Sequence, residues 1–398
     1  MWVPVVGLPP RLMLSALGGA GRFCLLGSGT ATLKDLRLGN RRGLSESCPQ
    51  ELPYPDFNES PSVVYKYRGE PKRYVSNRKL AETVAHILQG KRRAQQLLLE
   101  CNPGPGILTQ ALLETGATVV ALESDKTFIP HLETLGNNLD GQLDVIHCDF
   151  FKMDPRNSTQ VKPPILLSHI LFQNLGIKAR PWSAGVPLKV IGIFPIRSER
   201  KVLWKLLYDL YSCTSIYKYG RIELNMFIGE KEYQRLVATP SNSNLYQAWS
   251  VLWQVACEIK LLHTEPWSSF DMYNRNGELR KPKRKESLDQ QNLYFIQMTP
   301  RKNLFTENLT PVNYDVFFHM LKHCFGKRSA RLIDHLHSLT PVDARHILKK
   351  ICRDEKVKVT NIYPEDFKRI FEAIECSKDH AYKWLYDDSM VDAKYVEN

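Results

Sequence analysis

Three acidic residues close three successive apolar runs in the first half of the chain. Glu100 follows Leu97–Leu99, Glu123 follows "TVVAL", and Asp149 follows "DVIHC". Between the first two lies "CNPGPGILT", residues 101–109, where Asn102, Gly104 and Gly106 alternate with two prolines. In an open α/β sheet, ligands collect beyond the carboxyl ends of the strands. A glycine there lets the backbone approach a ligand without a Cβ in the way, and the helix start that follows offers free N–H groups. An acid ending the next strand can accept hydrogen bonds from ribose hydroxyls, and an acid ending the third can accept from an adenine amino group. The group therefore points to an adenosine compound. No Walker lysine follows the turn, which argues against ATP, and the spacing is not the G-x-G-x-x-G of a dinucleotide fold. A Gly/Pro turn alone is also an ordinary connection.

The surrounding pattern must hold these residues in place. Leu80, Val84 and Leu88 fall on one helical face, with Ile87 beside them. Leu97–Glu100 reads as a buried strand and Ile107–Thr115 as a helix stopped near Gly116. Residues 118–124 form the next strand, a helix runs to about Leu135, and residues 144–150 form a third strand. Strand and helix alternating at this spacing predict a parallel sheet with crossover helices. Residues 151–186 break the rhythm and read as an insertion. The pattern resumes with strands at 187–195 and 221–229 and helices at 199–213 and 230–237. "LYQAWSVLWQVACEIKLL" reads as helix and then strand, and "NLYFIQMTP" (292–300) as the strand that closes the sheet. The α/β region thus spans 71–304. From residue 305 to 398 the period is helical, which predicts a smaller C-terminal α-helical domain.

Charge and cysteine usage narrow the setting. The 398-residue chain carries a net charge of +12, and a basic surface attracts polyanions. Its nine cysteines are dispersed with no C-x-x-C pair, against a disulfide framework or a zinc site, so no metal is expected. No run of about 18 to 20 apolar residues could span a membrane. Residues 1–45 are arginine-bearing, acid-poor and rich in Ser, Gly and Ala, the composition of a mitochondrial import leader. Residues 46–70, rich in Pro, Ser and charge, read as a flexible linker.

The stretch "ECNPGPGILT" resembles the E-x-G-P-G-x-G-x-L-T signature of the rRNA adenine N6-dimethyltransferases. "KRYVSNRKLAETV" (72–84) resembles the segment that family places just upstream, roughly Q-N-F-L-x-D. "ALESD" and "HCDFF" match its next two motifs, and "CFGKRSARLIDHL" (324–336) its helical F-x-x-R-R-K segment. The likeness runs from about 71 to 340. It implies a Rossmann-like S-adenosylmethionine-dependent methyltransferase sheet, with the cofactor near Val75, Glu100, Gly104, Glu123 and Asp149. Val75 would lie beside the methionine end, Glu123 would take the ribose hydroxyls and Asp149 the adenine. The leader and the full pattern look closest to the mitochondrial members of the family. That likeness implies a place in the mitochondrial matrix nucleoid and a role in helping the single-subunit mitochondrial RNA polymerase open promoter DNA beside a mitochondrial high-mobility-group transcription factor.

The departures from the family carry as much information. Its catalytic strand ends in Asn-Leu-Pro-Tyr/Phe, where this chain has Ile193, Phe194, Pro195 and Ile196. The Asn and a carbonyl accept the amino hydrogens of the target adenine, and the aromatic stacks on the flipped base. Ile193 has no acceptor, Ile196 has no π face, and Phe194 should point to the other side of the strand. A lost hydrogen bond and a lost stack each cost about 1–3 kcal/mol, together roughly 30- to 10⁴-fold in rate. Asn102 replaces a family glycine and Asn77 a family aspartate, and Asn tolerates the left-handed backbone the turn needs.

Lys327, Arg328 and Arg331 read as the face of one helix, with residues 327 and 331 at i and i+4. With "KPKRK" (281–285) they form a candidate phosphate-backbone contact. The tail "YDDSMVDAKYVE" is acidic. Two readings follow: a weakly catalytic transcription initiation factor, or an active methyltransferase on mitochondrial small-subunit rRNA. A methyltransferase for small molecules or proteins is disfavoured by the basic C-terminal features.

Overall fold

A computed structural model describes residues 72–89, 97–137, 141–155, 166–273, 279, 292–377 and 383–385. The leader, the linker, "KPKRK" and the acidic tail lie outside the described residues.

Five strands form the parallel part of the sheet: β2 (Leu97–Cys101), β3 (Thr118–Glu123), β4 (Leu143–His147), β5 (Lys189–Ile193) and β6 (Glu223–Gly229). Two antiparallel pairings extend it through β9 (Asn292–Pro300) to β7 (Cys257–Pro266), in the order β4-β3-β2-β5-β6-β9-β7. The strand expected to close the sheet is therefore inserted, and β7 forms the edge. Chain order places β7 first, but β9 is buried on both faces (Leu293 and Phe295 on one, Ile296 and Met298 on the other), which suits an interior strand, while β7 is largely exposed.

The order reverses between β2 and β5, the switch point beyond whose carboxyl ends a ligand crevice is expected in such a sheet. These two strands approach closely because β5 carries Gly192, where a Cβ would lie 2.8 Å from that of Cys101.

Side chains alternate between two cores. Leu98, Val119, Ile191 and Phe227 pack under α1 (Arg78–Gln89) and α2 (Ile107–Glu114). Leu99, Val120, Leu122 and Val190 pack with α4 (Ser168–Asn174), α5 (Glu199–Tyr211) and α7 (Ala248–Ala256). The same second cluster continues into α8 (Tyr314–Gly326), α9 (Leu332–Leu339), α10 (Ala344–Lys350) and α11 (Pro364–Glu375). Two further helices, α3 (Ile129–Gly136) and α6 (Glu230–Leu236), follow β3 and β6.

α1 buries Leu80, Ala81, Val84, Ala85 and Leu88 on one stripe. Asn77, the departure from the family's aspartate, caps it: its Oδ1 accepts from the backbone N–H groups of Lys79 (2.9 Å) and Leu80 (3.3 Å). Upstream lies a strand that the sequence pattern does not reveal. β1 (Lys72–Val75) pairs antiparallel with β8 (Phe270–Tyr273) in a separate two-stranded sheet. Four residues are too few for a period, and the partner lies far along the chain.

Candidate cofactor crevice and nucleic-acid face

The turn after β2 takes the geometry its composition demands. Asn102, Gly104 and Gly106 all have positive φ, at 51°, 60° and 76°. Asn102 thus adopts the left-handed backbone expected of it. Its N–H donates to the Leu122 carbonyl (2.7 Å), tying the turn to β3. At Gly104 a Cβ would run into the ring of Tyr74, so glycine is needed for close approach as well as for φ. Tyr74 in turn packs with Phe128 and Tyr273, with ring centroids 5.2 and 5.6 Å away.

Glu123 ends β3 fully buried. One oxygen accepts from the Gly104 N–H (2.9 Å), the other from the Asp125 N–H (2.7 Å). Burial pushes its pKa up, opposed by those two N–H groups and by Lys72. The Lys72 ammonium donates to Ser124 Oγ and to Asn102 Oδ1 (3.4 Å), and Ser124 Oγ donates to the same Asn102 oxygen.

Asp149 lies just past β4, which ends at His147 rather than running to 150. Instead of extending the strand, Asp149 caps the short turn 150–152. Its Oδ1 accepts from the Phe151 N–H (3.1 Å) and its Oδ2 pairs with the half-exposed Lys152 (3.0 Å).

Glu100 lies apart from these. Alternation along β2 aims it beneath α2, where its carboxylate accepts from Thr109 Oγ1 (2.8 Å). Burial raises its pKa to about 8, with Thr109 opposing and Glu123 adding to the rise, so Glu100 is mainly neutral near pH 7. Val75 is buried in the core that holds Ile193, at the opposite lip of the crevice.

The structure thus brings Gly104, Glu123, Asn102 and Ser124 around one turn, with Asp149 at the end of the adjoining strand. These residues suit an adenosine-type cofactor. Carboxylate oxygens that already accept one N–H each retain lone pairs for ribose hydroxyls, and Asp149 can trade its exposed lysine for an amino donor. Missed from the pattern were Lys72, Tyr74 and Ser124 around the turn. The signal was there in part, since the family's Gln-Asn pair reads Lys72-Arg73 here.

At the other lip, Ile193 ends β5 on the α1/α2 side and packs against the cluster of Val75 and Phe270. Phe194 faces the opposite core, 2% exposed, with its ring 5.9 Å from that of Phe151. Its N–H donates to the Phe227 carbonyl (3.0 Å). Pro195 and Ile196 follow as partly buried residues leading into α5. None of these four side chains carries a hydrogen-bond acceptor.

The basic trio is not on one helix. α8 stops at Gly326 and α9 starts at Leu332, so Lys327, Arg328 and Arg331 lie on the intervening turn. Arg331 adopts extended backbone at the start of α9, bridging to Lys358. The expected i, i+4 face is therefore absent. Lys327 is exposed, Arg328 donates to the Ser243 carbonyl (3.2 Å), and Arg331 makes a two-pronged pair with Asp334 (2.7 and 2.9 Å). Among the described residues no His/Cys/Asp/Glu group could hold a metal ion, and no helix is long and apolar enough to cross a membrane.

Residues 71–375 match the family described as ribosomal RNA adenine dimethylase. The chain is 66% identical to the Homo sapiens protein named Dimethyladenosine transferase 2, mitochondrial, over 98% of this chain and 100% of that protein. It is 59% identical to the Bos taurus protein of the same name, covering 99% and 100%. Among solved structures, a dimethyladenosine transferase from Plasmodium falciparum aligns with 75% of this chain and 95% of its own. The TM-score there is 0.48 and the identity 14%.

Proposed function

The chain belongs to the ribosomal RNA adenine dimethylase family, and from that premise we propose that it is a mitochondrial transcription initiation factor retaining an S-adenosylmethionine crevice. In this reading it binds promoter DNA and helps the single-subunit mitochondrial RNA polymerase open it, beside a mitochondrial high-mobility-group factor in the matrix nucleoid. The partners and the address rest on the family likeness and on the mitochondrial names of the relatives.

One observation carries the choice of function. The cofactor lip keeps its polar groups, while the acceptor lip has lost them: Ile193 and Ile196 are apolar and Phe194 is turned into the core. Gly104, Glu123 and Asp149 would hold the adenosine part, with Val75 toward the methionine end. When bound, S-adenosylmethionine supplies an electrophilic methyl group. The protein's own part would be to orient the acceptor nitrogen and take up its hydrogen bonds, and the side chains at the end of β5 cannot do so. The missing acceptor and stack together amount to roughly 2–6 kcal/mol of transition-state support.

The second reading, an rRNA adenine dimethyltransferase, is favoured by the intact turn and by the names of the relatives. One paired assay separates the two. Full-length protein is incubated with labelled S-adenosylmethionine and a mitochondrial small-subunit rRNA hairpin, and separately with polymerase and promoter DNA. Promoter-dependent stimulation with methyl transfer at least about 30-fold below that of an Asn-Leu-Pro-Tyr family member is expected. Robust dimethylation without stimulation would overturn the assignment.

A further inference from the structure

β1 separates the two lips of the crevice, and alternation along it sends its residues two ways. Lys72 and Tyr74 face the Gly104 turn. Arg73 and Val75 face the ends of β5 and β6. Val75 packs in the cluster of Ile193, with Trp267 against its edge. Arg73 is only 7% exposed, and its guanidinium lies over the indole of Trp267. Its charge also reaches Glu199 at the start of α5, whose carboxylate accepts from the Gly229 N–H (2.8 Å) at the end of β6. Arg73, Trp267 and Glu199 thus meet beyond the carboxyl ends of β5 and β6. That is the acceptor side of the crevice.

We propose that this acceptor slot is occupied by the chain itself, with the Arg73 guanidinium stacked on Trp267 in the place where a target base would stack. The inference rests on the reading of the end of β5 as the acceptor lip. A guanidinium is planar and stacks on an indole face much as a base does. One ring face holds one such group, so a base and Arg73 exclude each other. Glu199, whose carboxyl feels the Arg73 charge, partly offsets that buried charge when it is ionised. Nucleic acid would then bind this chain through its backbone and surface, without a base captured beside the cofactor.

The test reads base capture directly. Two single-stranded RNA oligonucleotides are compared, one carrying 2-aminopurine and one abasic at the same position, with fluorescence and affinity measured on full-length protein. Wild type should bind both equally and leave 2-aminopurine fluorescence unchanged. Arg73→Asn, and Arg73→Asn with Glu199→Gln to avoid a lone buried carboxylate, should quench the fluorescence. Both should also prefer the base-bearing strand at least about tenfold, a gain in keeping with one base–aromatic stack. Adding Trp267→Ala should abolish that gain.

Discrimination by wild type would overturn the proposal, and that measurement needs no variant. So would failure of both variants to discriminate while their thermal midpoints and circular dichroism match wild type. Calorimetric titration with S-adenosylmethionine runs in parallel. Absence of cofactor binding there would defeat the retained crevice of the proposed function and leave the base-capture result standing.

Discussion

Replacing Glu100 with glutamine tests the placement of this buried acid beneath α2. The carboxyl is fully enclosed and its pKa stands at about 8 against an ordinary 4.5, a gap of about 3.5 pH units or roughly 5 kcal/mol. Below about pH 4.5 the native and unfolded states both hold the proton, and stability is full. Between about 4.5 and 8 only the native state holds it. Stability then falls with rising pH by up to about 1.4 kcal/mol per unit, levelling above about pH 8. Glutamine cannot ionise, and its carbonyl still accepts from Thr109, so the substitution removes the titration and keeps the hydrogen bond.

Urea unfolding of both proteins at several values between about pH 5.5 and 8.5 reads the difference. The variant's advantage should widen by roughly 3 kcal/mol across that range. Glu199, raised to about 7 by burial, slopes both curves alike and cancels in the comparison, whereas Glu123 is coupled to Glu100 and its own rise eases in the variant, which adds to the same trend. Parallel stability curves would refute the reasoning. Glu100 would then be ionised in the native state, and its place as a neutral strut between β2 and α2, apart from the ligand groups, would be wrong.

Gly104→Ala should cost at least about 1–2 kcal/mol from its left-handed backbone and more from displacing Tyr74, with cofactor binding lost in calorimetry. Gly116→Ala, at a similarly positive φ with open space around it, should cost the backbone strain alone and leave cofactor binding intact; equal effects of the two on binding would deny the turn its role. For nucleic acid, Lys327→Ala should lower the slope of log affinity against log salt by about 1. Arg331→Ala should lower it by less, because Asp334 already holds that guanidinium; an unchanged slope for Lys327→Ala would remove it from the interface.

Local chemistry is the part of this molecule that a linear reading can reach. The left-handed turn at Asn102, Gly104 and Gly106 and the strand end at Glu123 each follow from a few adjacent residues, whereas the strand read over 187–195 is shorter, Lys189–Ile193, and the Asn77 cap shows only in the structure. What escapes such a reading depends on pairing across long stretches of chain. Neither the insertion of β9 between β6 and β7 nor the match of β1 with β8 has a local signal. The turn at 327–331 escapes because "GKRSAR" contains residues that a helix tolerates, and only packing of α8 and α9 separates them.

The most consequential miss, Arg73, has the same origin. Its partners Trp267 and Glu199 come from the β7–β8 connection and from α5, so it reads in sequence as one more basic residue. Its position on β1 also explains how the two lips of the crevice can part company. Tyr74 supports the glycine turn from one face of the strand, and Arg73 and Val75 meet the end of β5 from the other. On the proposed reading, the acceptor is missing at residue 193, so nothing requires the slot beside it to stay open. Base capture could then be shed and the nucleoside turn kept, because one period-two strand places Tyr74 and Arg73 on opposite faces.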